Sequence, residues 1–551
     1  MNPISTQPSS QSSLSSPSQV DSALREQWRA QGLHADQNLG AAFAAAAQAH
    51  PDAELVFSAG EQSETLRLAD LHRRGLVLAS ALWDQGLRAG DTLAVQLPNS
   101  VEGVLLQRAA AALGAVFLPI VPIYGANELR HILSDAQARF LVLPAKGRFG
   151  SAVELVAAVG TVPSLARVVV IGVGHLPAED KWVGWSALTA EVDGNSLVEC
   201  TSAVGADDPA LLIYTSGTTA APKGVVHSAN TLLAENYSVA LRRGGPPTPQ
   251  LSPWPTGHIA GLVVLLQYAL LGRPTVLMQS WDPVQAARLV DRHSIVASSG
   301  TPFHLTALLD AADALGISLD TLQDYLSGAA SVPTSLVQRC VERGIGIYRA
   351  YGLSEHPTVT VGHSQDPLES RLHTEGLLTL GNEIRLVDDE GNDVPSGQDG
   401  EIACRGPERF LGYRDPALNV GAFLEGGWFL TGDVGYVDAQ GFLHLTDRKK
   451  DIVNRGGEKI ASREVEEAML LIPGVSDVAV VAGPDARLGE RVRAFVVGKA
   501  AATLGLDAVA AHFARLGKAR QKVPEQLIAV DALPRNAMGK VNKQELRARL
   551  R

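Results

Sequence analysis

Ile213-Tyr214-Thr215-Ser216-Gly217-Thr218-Thr219-Ala220-Ala221-Pro222-Lys223-Gly224-Val225-Val226 is the stretch on which the reading of this 551-residue chain turns. The apolar run Ala210–Ile213 feeds a loop with four hydroxyls, two glycines and one lysine, and a second apolar pair follows. Backbone N–H groups, hydroxyl donors and a mobile cation are together able to wrap a polyphosphate. The loop differs from the common phosphate loop, where a glycine is followed after four residues by Gly-Lys-Ser/Thr. Here Lys223 follows Pro222 and precedes Gly224.

The bulk properties set the frame around this loop. A chain of 551 residues exceeds the size at which one core stops growing, so at least two domains are expected. Hydrophobic residues make up 46%, enough for a large core. The net charge, 47 − 58 = −11, argues against a nucleic-acid surface. Cys200, Cys340 and Cys404 are far apart, fall in no metal-ligand spacing, and read as reduced thiols of a cytoplasmic protein. The first 20 residues hold eight Ser, three Gln and three Pro without Lys or Arg, so residues 1–24 read as a disordered tail and not as a signal or transit peptide. The longest apolar run, Ala109–Tyr124, is interrupted by Gly114, Pro119 and Pro122 and is too short to span a membrane. It reads as an Ala-rich helix followed by the strand Val116-Phe117-Leu118.

Along the chain, Thr92–Leu97, Phe140–Leu143, Val168–Ile171 and Thr275–Met278 read as short strands. Helical stretches such as Ser100–Leu113 and Val284–His293 separate them. This alternation predicts an α/β fold with stacked layers and largely parallel sheets. From about residue 380 the pattern becomes strand-rich over Gly381–Val387, Gly400–Arg405 and Gly435–Leu445, with Asp389-Glu390-Gly391 and Asp438-Ala439-Gln440-Gly441 turns between them, predicting a smaller β subdomain. The run Thr446-Asp447-Arg448-Lys449-Lys450-Asp451 carries five charges and reads as a solvated connector. Beyond it come a helix from Ser462 stopped by Pro473, strands at Val478–Ala482 and Val492–Val497, and helices at Ala508–Leu516 and Lys543–Arg551. Residues 25–446 are thus expected to form a large N-terminal domain, and 447–551 a small α+β domain of their own.

Four further motifs follow the loop in order. They are Leu326-Ser327-Gly328-Ala329-Ala330, Tyr351-Gly352-Leu353-Ser354-Glu355, Thr431-Gly432-Asp433 and Pro534-Arg535-Asn536-Ala537-Met538-Gly539-Lys540. Taken singly, they read as a packed turn, a strand end, a β-turn aspartate and a solvated lysine. Taken together with Thr-Ser-Gly-Thr-Thr-x-x-Pro-Lys-Gly, they resemble the adenylate-forming enzymes: acyl-CoA synthetases, non-ribosomal adenylation domains and beetle luciferases. The resemblance spans residues 214 to 540.

The resemblance implies a role for each position. Thr215, Ser216, Gly217, Thr218, Thr219 and Lys223 would cradle the phosphates of ATP. Gly328, Ala329 and Ala330 would line the adenine, and Tyr351, followed by Gly352, would stack on it, since an aromatic face packs a purine. Ser354 would contact the α-phosphate; the family usually has Thr there, so the hydroxyl is kept and a methyl lost. Glu355 would hold Mg²⁺, a hard cation that takes carboxylate oxygen. Asp433 and Arg448 would bind the ribose, and Lys540 would be the catalytic lysine. Lys450 falls at the hinge position of a mobile C-terminal domain. Gly456 and Gly457, in Arg455-Gly456-Gly457-Glu458-Lys459, match the loop that approaches the pantetheine thiol of CoA.

The substrate side is read from Pro253-Trp254-Pro255-Thr256-Gly257-His258-Ile259-Ala260-Gly261, which resembles the segment bordering the acyl pocket, with His258, Ile259 and Gly261 as candidate lining residues. No Asp or Glu occurs between Leu251 and Trp281 to pair an amino acid's ammonium, and an unpaired desolvated charge costs several kcal/mol. A simple carboxylic acid is therefore expected, with Ile259, Leu262 and Val263 suited to an aliphatic or alicyclic group. The expectation is an acid–CoA ligase using ATP, Mg²⁺ and CoA, as monomer or homodimer. An aryl acid, a carrier-protein acceptor, a luciferase-like oxygenase and a non-catalytic adenylate-binding protein are the rival readings. His356 receives no role.

Overall fold

The computed structural model describes residues 22–190, 204–215, 222–328, 332, 334–535 and 540–550. Two large sheets dominate it. The first has nine strands. Its centre is parallel and runs, in spatial order, through Gly346–Leu353, Asp324–Ser327, Ala297–Gly300, Gln250–Ser252, Thr275–Met278 and Glu54–Ala59. Antiparallel strands close its edges: Gln62–Arg67 at one, His356–Val361 and Leu377–Leu378 at the other. The second sheet has eight strands. Val116–Pro119, Thr92–Val95, Ala138–Pro144, Arg167–Ile171 and Trp182–Gly184 are parallel to one another and to Pro209–Thr215. Lys223–Ser228 and Gly412–Tyr413 add antiparallel strands beyond Pro209–Thr215. The expected parallel α/β layering is present, with antiparallel strands confined to the margins.

The strands Thr275–Met278 and Gly400–Arg405 coincide with the sequence reading, and the helix Val101–Leu113 starts one residue inside it because Ser100 is its cap. Ser100 Oγ accepts from the Gly103 N–H, and Gly114 ends the helix in the left-handed region at φ +68°. Ten of its 13 residues are buried, as are nine of 13 in the helix Ile259–Leu271. Helices buried on nearly every face need cover on nearly every face. They find it between the sheets, where one core joins Leu55 and Leu277 of the first sheet to Leu93, Phe117 and Ile213 of the second.

A third, five-stranded sheet follows from Glu383. The Asp438-Ala439-Gln440-Gly441 turn read from the sequence is present within Gly435–Leu445: Trp428–Val437 turns back there into Leu443–Arg448. Asp438 forms that turn, accepting the N–H groups of Gln440 and Phe442. The charged run 446–451 also departs from the expected solvated connector. Thr446, Asp447 and Arg448 belong to the strand, and Asp447 and Asp451 are buried. Asp447 accepts the backbone N–H of Ser462, and Arg547 reaches Asp451 at 2.5 Å.

Past Val453 a fourth sheet begins, built from Glu458–Ile460, Val453–Arg455, Gly489–Val497 and Asp477–Asp485, with Gln526–Ala529 parallel on Gly489–Val497. The helices Ser462–Leu470 and Leu506–Arg515 contribute Val465, Met469, Val509 and Phe513 to its own core. It touches the rest of the chain through charge: Arg463 lies 3.1 Å from Glu375, whose carboxylate also lies 3.5 Å from the buried Arg349. Among the described residues no helix is long and apolar enough to cross a membrane.

Candidate active site

The strands Pro209–Thr215 and Lys223–Ser228 form a hairpin in which Thr215 stands opposite Lys223. Residues 216–221 join them, so Ser216, Gly217, Thr218 and Thr219 lie outside the described residues, as do Ala329 and Ala330. Lys223 therefore starts a strand, with its ammonium 5.1 Å above the ring of Tyr413. Gly224 beside it packs without a side chain: a Cβ there would lie 3.0 Å from the Tyr214 ring and from Arg414. Gly328 follows the strand Asp324–Ser327 and donates its N–H to the Gly300 carbonyl at 3.0 Å.

Tyr351-Gly352-Leu353-Ser354-Glu355 ends the strand Gly346–Leu353 and turns into His356–Val361. Gly352 is forced by this turn, since a Cβ would come within 1.8 Å of the Pro357 carbonyl oxygen. Tyr351 is buried and its hydroxyl donates to Asp433 Oδ2 at 2.9 Å. Arg448, directly opposite Asp433 on the neighbouring strand, holds Oδ1 at 2.9 Å. Both oxygens of Asp433 are thus engaged by groups that the sequence picks out.

Ser354 and Glu355 are clamped at the backbone. His227 Nε2 donates to the Ser354 carbonyl at 2.7 Å, and the Phe410 N–H donates to the Glu355 carbonyl at 2.8 Å. The Glu355 carboxylate accepts from the Tyr413 hydroxyl at 2.6 Å. Burial pushes the Glu355 carboxyl above the usual carboxylate range, while the Tyr413 hydrogen bond and the charges of Lys223 and Arg448 oppose that rise. Among the described residues no three His, Cys, Asp or Glu side chains gather into a metal cage. A single buried carboxylate suits Mg²⁺, which is commonly held by one or two carboxylates together with substrate phosphates and water. His356 is fully buried and stands 3.9 Å from Glu408.

Lys540 joins these groups from the C-terminal unit. Its ammonium is pulled down to about 7, first by the positive charge of Arg448 and then by burial, with Lys450 adding and Asp433 opposing. Lys540 is also felt by His258, whose imidazole is pushed down to about 4 by burial with the lysine's charge adding. The structure thus brings Lys540 within electrostatic reach of Asp433, Arg448, Lys450 and His258. Lys450 is itself lowered, by burial and then by Arg448.

The residues expected on the acyl side are packed as structure. His258 Nδ1 accepts the Ala260 N–H at 3.2 Å, capping the helix Ile259–Leu271, and its ring stacks on Trp254 with centroids 6.4 Å apart. The Trp254 indole N–H donates to Ser299 at 2.8 Å. Ile259 is buried in the inter-sheet core, and Gly261 leaves room for the Pro255 carbonyl, which a Cβ would meet at 2.2 Å. Gly456 and Gly457 form the exposed turn between Val453–Arg455 and Glu458–Ile460, with φ of +60° and +94°. A Cβ at Gly457 would meet nothing within 4 Å, so the backbone angle, and not crowding, is what requires glycine here.

Tyr413 and His227 are site neighbours that the sequence motifs do not reveal. Tyr413 reaches Glu355 across two sheets, a contact without any local pattern; His227 lies four residues past Lys223 and gives only the signal of a histidine beside a marked loop.

Two family descriptions match: "AMP-binding enzyme" over residues 43–414 and "AMP-binding enzyme C-terminal domain" over residues 464–540. The chain is 34% identical over 532 residues to the medium-chain fatty-acid–CoA ligase of Escherichia coli (strain K12), covering 95% of this chain and 92% of the relative. It is 31% identical to a feruloyl-CoA synthase of Amycolatopsis, covering 93% and 99%. Among solved structures, ATP-bound MatB from Rhodopseudomonas palustris superposes with a TM-score of 0.80 at 27% identity over 93% of this chain and 99% of that one. The Bacillus subtilis O-succinylbenzoate–CoA synthetase in complex with ATP and a magnesium ion gives 0.77 at 26% identity over 94% and 99%. With both halves matched in order and nearly full-length relatives on either side, the chain belongs to the AMP-binding, adenylate-forming enzymes.

Proposed function

We propose that the protein is an ATP-dependent carboxylic acid–CoA ligase that works through an acyl-adenylate, on a medium-length aliphatic or alicyclic acid. The observation that carries the reading is the convergence of Lys540 with Asp433, Arg448 and His258, groups spread over residues 258 to 540. In the first half-reaction a carboxylate oxygen attacks the α-phosphorus of ATP, and pyrophosphate leaves with the electrons of the α–β bridging bond. Positive groups must neutralise the phosphoryl oxygens and hold the attack in line. Lys223 and the Thr215–Thr219 loop serve the phosphates, Ser354 the α-phosphate, and Lys540 the reacting carboxylate and phosphate together. Asp433 and Arg448 hold the ribose, with Tyr351 and Gly328–Ala330 against the adenine. Glu355 would hold Mg²⁺, which would supply further charge neutralisation at the phosphates.

In the second half-reaction the CoA thiol attacks the acyl carbonyl and AMP leaves. Gly456 and Gly457 lie on an exposed turn while Lys540 sits within electrostatic reach of Arg448 and Asp433. We therefore read residues 447–551 as a lid that turns about Lys450 between the steps. His258 is neutral at pH 7 and borders an apolar acyl site; the fatty-acid relative supports the aliphatic choice. The stacked Trp254–His258 pair, with the feruloyl-CoA relative, favours an aryl acid as the second reading. Cys340 and Cys404, both buried free thiols, accord with a cytoplasmic setting.

The test is a pyrophosphate-release assay over acetate, octanoate, cyclohexanecarboxylate, benzoate, palmitate and an α-amino acid, followed by mass detection of the CoA thioester. Octanoate or cyclohexanecarboxylate is expected to give the highest kcat/KM. Preference for benzoate would replace the aliphatic reading by the aryl one, and preference for the amino acid would sink the pocket argument.

A further inference from the structure

Tyr413 joins two groups that the motifs mark separately. It lies on the two-residue strand Gly412–Tyr413, which pairs with Lys223–Ser228 so that Tyr413 stands opposite Val225. Asn419 fixes its backbone in both directions. The Tyr413 N–H donates to Asn419 Oδ1 at 2.8 Å, and Asn419 Nδ2 donates to the Tyr413 carbonyl at 3.2 Å. The ring is 5% exposed and meets Phe410 edge-on with centroids 5.0 Å apart. A ring locked this way has one orientation. In that orientation its hydroxyl donates to Glu355 Oε1 at 2.6 Å, and its face carries the Lys223 ammonium at 5.1 Å. The first distance is that of a charge-assisted O–H···O bond, and the second lies within cation–π reach.

We propose that Tyr413 is a positioning residue: its hydroxyl aims the Glu355 carboxylate for the metal, and its ring seats Lys223 beside that carboxylate before nucleotide arrives. The inference rests on the reading of Glu355 as the Mg²⁺ ligand. With Oε1 fixed by the phenol, the plane of the carboxylate is set by a rigid aromatic anchor and not by the flexible side chain of Glu355 itself. Glu355 and Lys223 come from different sheets, and Tyr413 makes their separation a property of the fold.

The experiment uses the full-length protein with a non-hydrolysable ATP analogue and Mn²⁺ as the spectroscopic stand-in for Mg²⁺, titrated by electron paramagnetic resonance. Tyr413→Phe keeps the ring and removes only the hydroxyl. It is expected to weaken Mn²⁺ binding about tenfold, the low end for a hydrogen bond to a charged group. Affinity for the analogue without metal should stay within about twofold, because the ring under Lys223 remains. In a Glu355→Gln background the same change should add nothing to the Mn²⁺ loss. Normal Mn²⁺ affinity in Tyr413→Phe, with Glu355→Gln impaired, overturns the role of Tyr413 while leaving the metal reading intact. Equal losses from Tyr413→Phe in both backgrounds also overturn it, since the effect would not pass through Glu355. Unchanged Mn²⁺ affinity in Glu355→Gln overturns the metal reading and this inference with it.

Discussion

Asp433 and His258 both lie within electrostatic reach of Lys540, yet they are held in different ways. Each carboxylate oxygen of Asp433 has its own partner, Tyr351 on one and Arg448 on the other, and the two strands fix their register. His258 is held by a helix start and by the face of Trp254. On the proposed reading, the nucleotide side is thus a set of directed, charge-assisted bonds, and the acyl side is a packed wall. Directed bonds lose function abruptly when one atom changes, whereas packed walls reshape, so the same cleft combines a fixed cofactor-like substrate with an adjustable acid.

The largest expected effect separates the two half-reactions. An ammonium about 4 Å from a phosphate charge contributes roughly 4 kcal/mol at an effective dielectric near 20. Lys540→Ala should slow acyl-adenylate formation by about 10²–10³-fold, yet convert supplied acyl-adenylate and CoA to thioester near the normal rate. Gly457→Leu should do the reverse, releasing pyrophosphate normally while making little thioester. Equal loss of both steps in both variants, with circular dichroism unchanged, would disprove the turning lid. A comparison of Gly457→Leu with Gly457→Ala sharpens this: the open space around Gly457 means that both pay the same backbone strain at φ +94°, so only bulk towards the incoming thiol distinguishes them.

On the bonded side, Asp433→Asn removes the charge that Arg448 and the ribose share. ATP affinity, read by calorimetry, should fall about 10- to 100-fold, following the roughly 1.5–3 kcal/mol of a hydrogen bond to a charged group. On the packed side, His258→Ala should alter the acid and not the nucleotide. Its KM for the preferred acid is expected to rise about threefold to tenfold, in line with an aromatic contact of roughly 0.5–1.5 kcal/mol. An ATP affinity change as large as that of Asp433→Asn would erase the distinction between the two sides.

The smallest effect is a proton count. Lys540 is lowered to about 7 in the free protein, so at pH 7.5 a good part of it is neutral. A bound triphosphate favours the ammonium and raises that value, so ATP binding should take up a fraction of a proton between about pH 7 and 9. Binding enthalpies measured in buffers of different ionisation heat reveal the uptake. It should vanish in Lys540→Ala.

The legibility of the molecule follows the same division. The alternating strands and buried helices could be read because a helix between two sheets is mostly apolar, as Val101–Leu113 is apart from Glu102, Gln107 and Arg108. The bonded groups Tyr351, Glu355, Asp433, Arg448 and Lys540 stand in short motifs with fixed spacing, and the structure brings them together as far as its described residues reach. Tyr413 escaped because its partner is Glu355, 58 positions away and on another sheet, and neither residue's neighbours announce the pair. The run 446–451 was misread for a related reason. Five charges in a row suggest water, but Asp447 and Asp451 meet the Ser462 N–H and Arg547 from distant parts of the C-terminal unit.

Glu375 bears on how such a unit is able to leave. Its carboxylate is shared between Arg463 of the C-terminal unit and Arg349 of the body, both close to one oxygen. When Arg463 departs on the proposed turn, Glu375 keeps Arg349 and is never stranded as a bare buried anion. The contact therefore behaves as a mooring from which the moving part casts off at little penalty, while the shore side stays tied. Arg463 is itself mostly buried, but it also holds the exposed Glu467 at 3.1 Å on its own helix, a partner that travels with it. Because the pair is buried, added salt screens it far less than it would an exposed pair, and the release of Arg463 on the proposed turn is expected to depend only weakly on ionic strength.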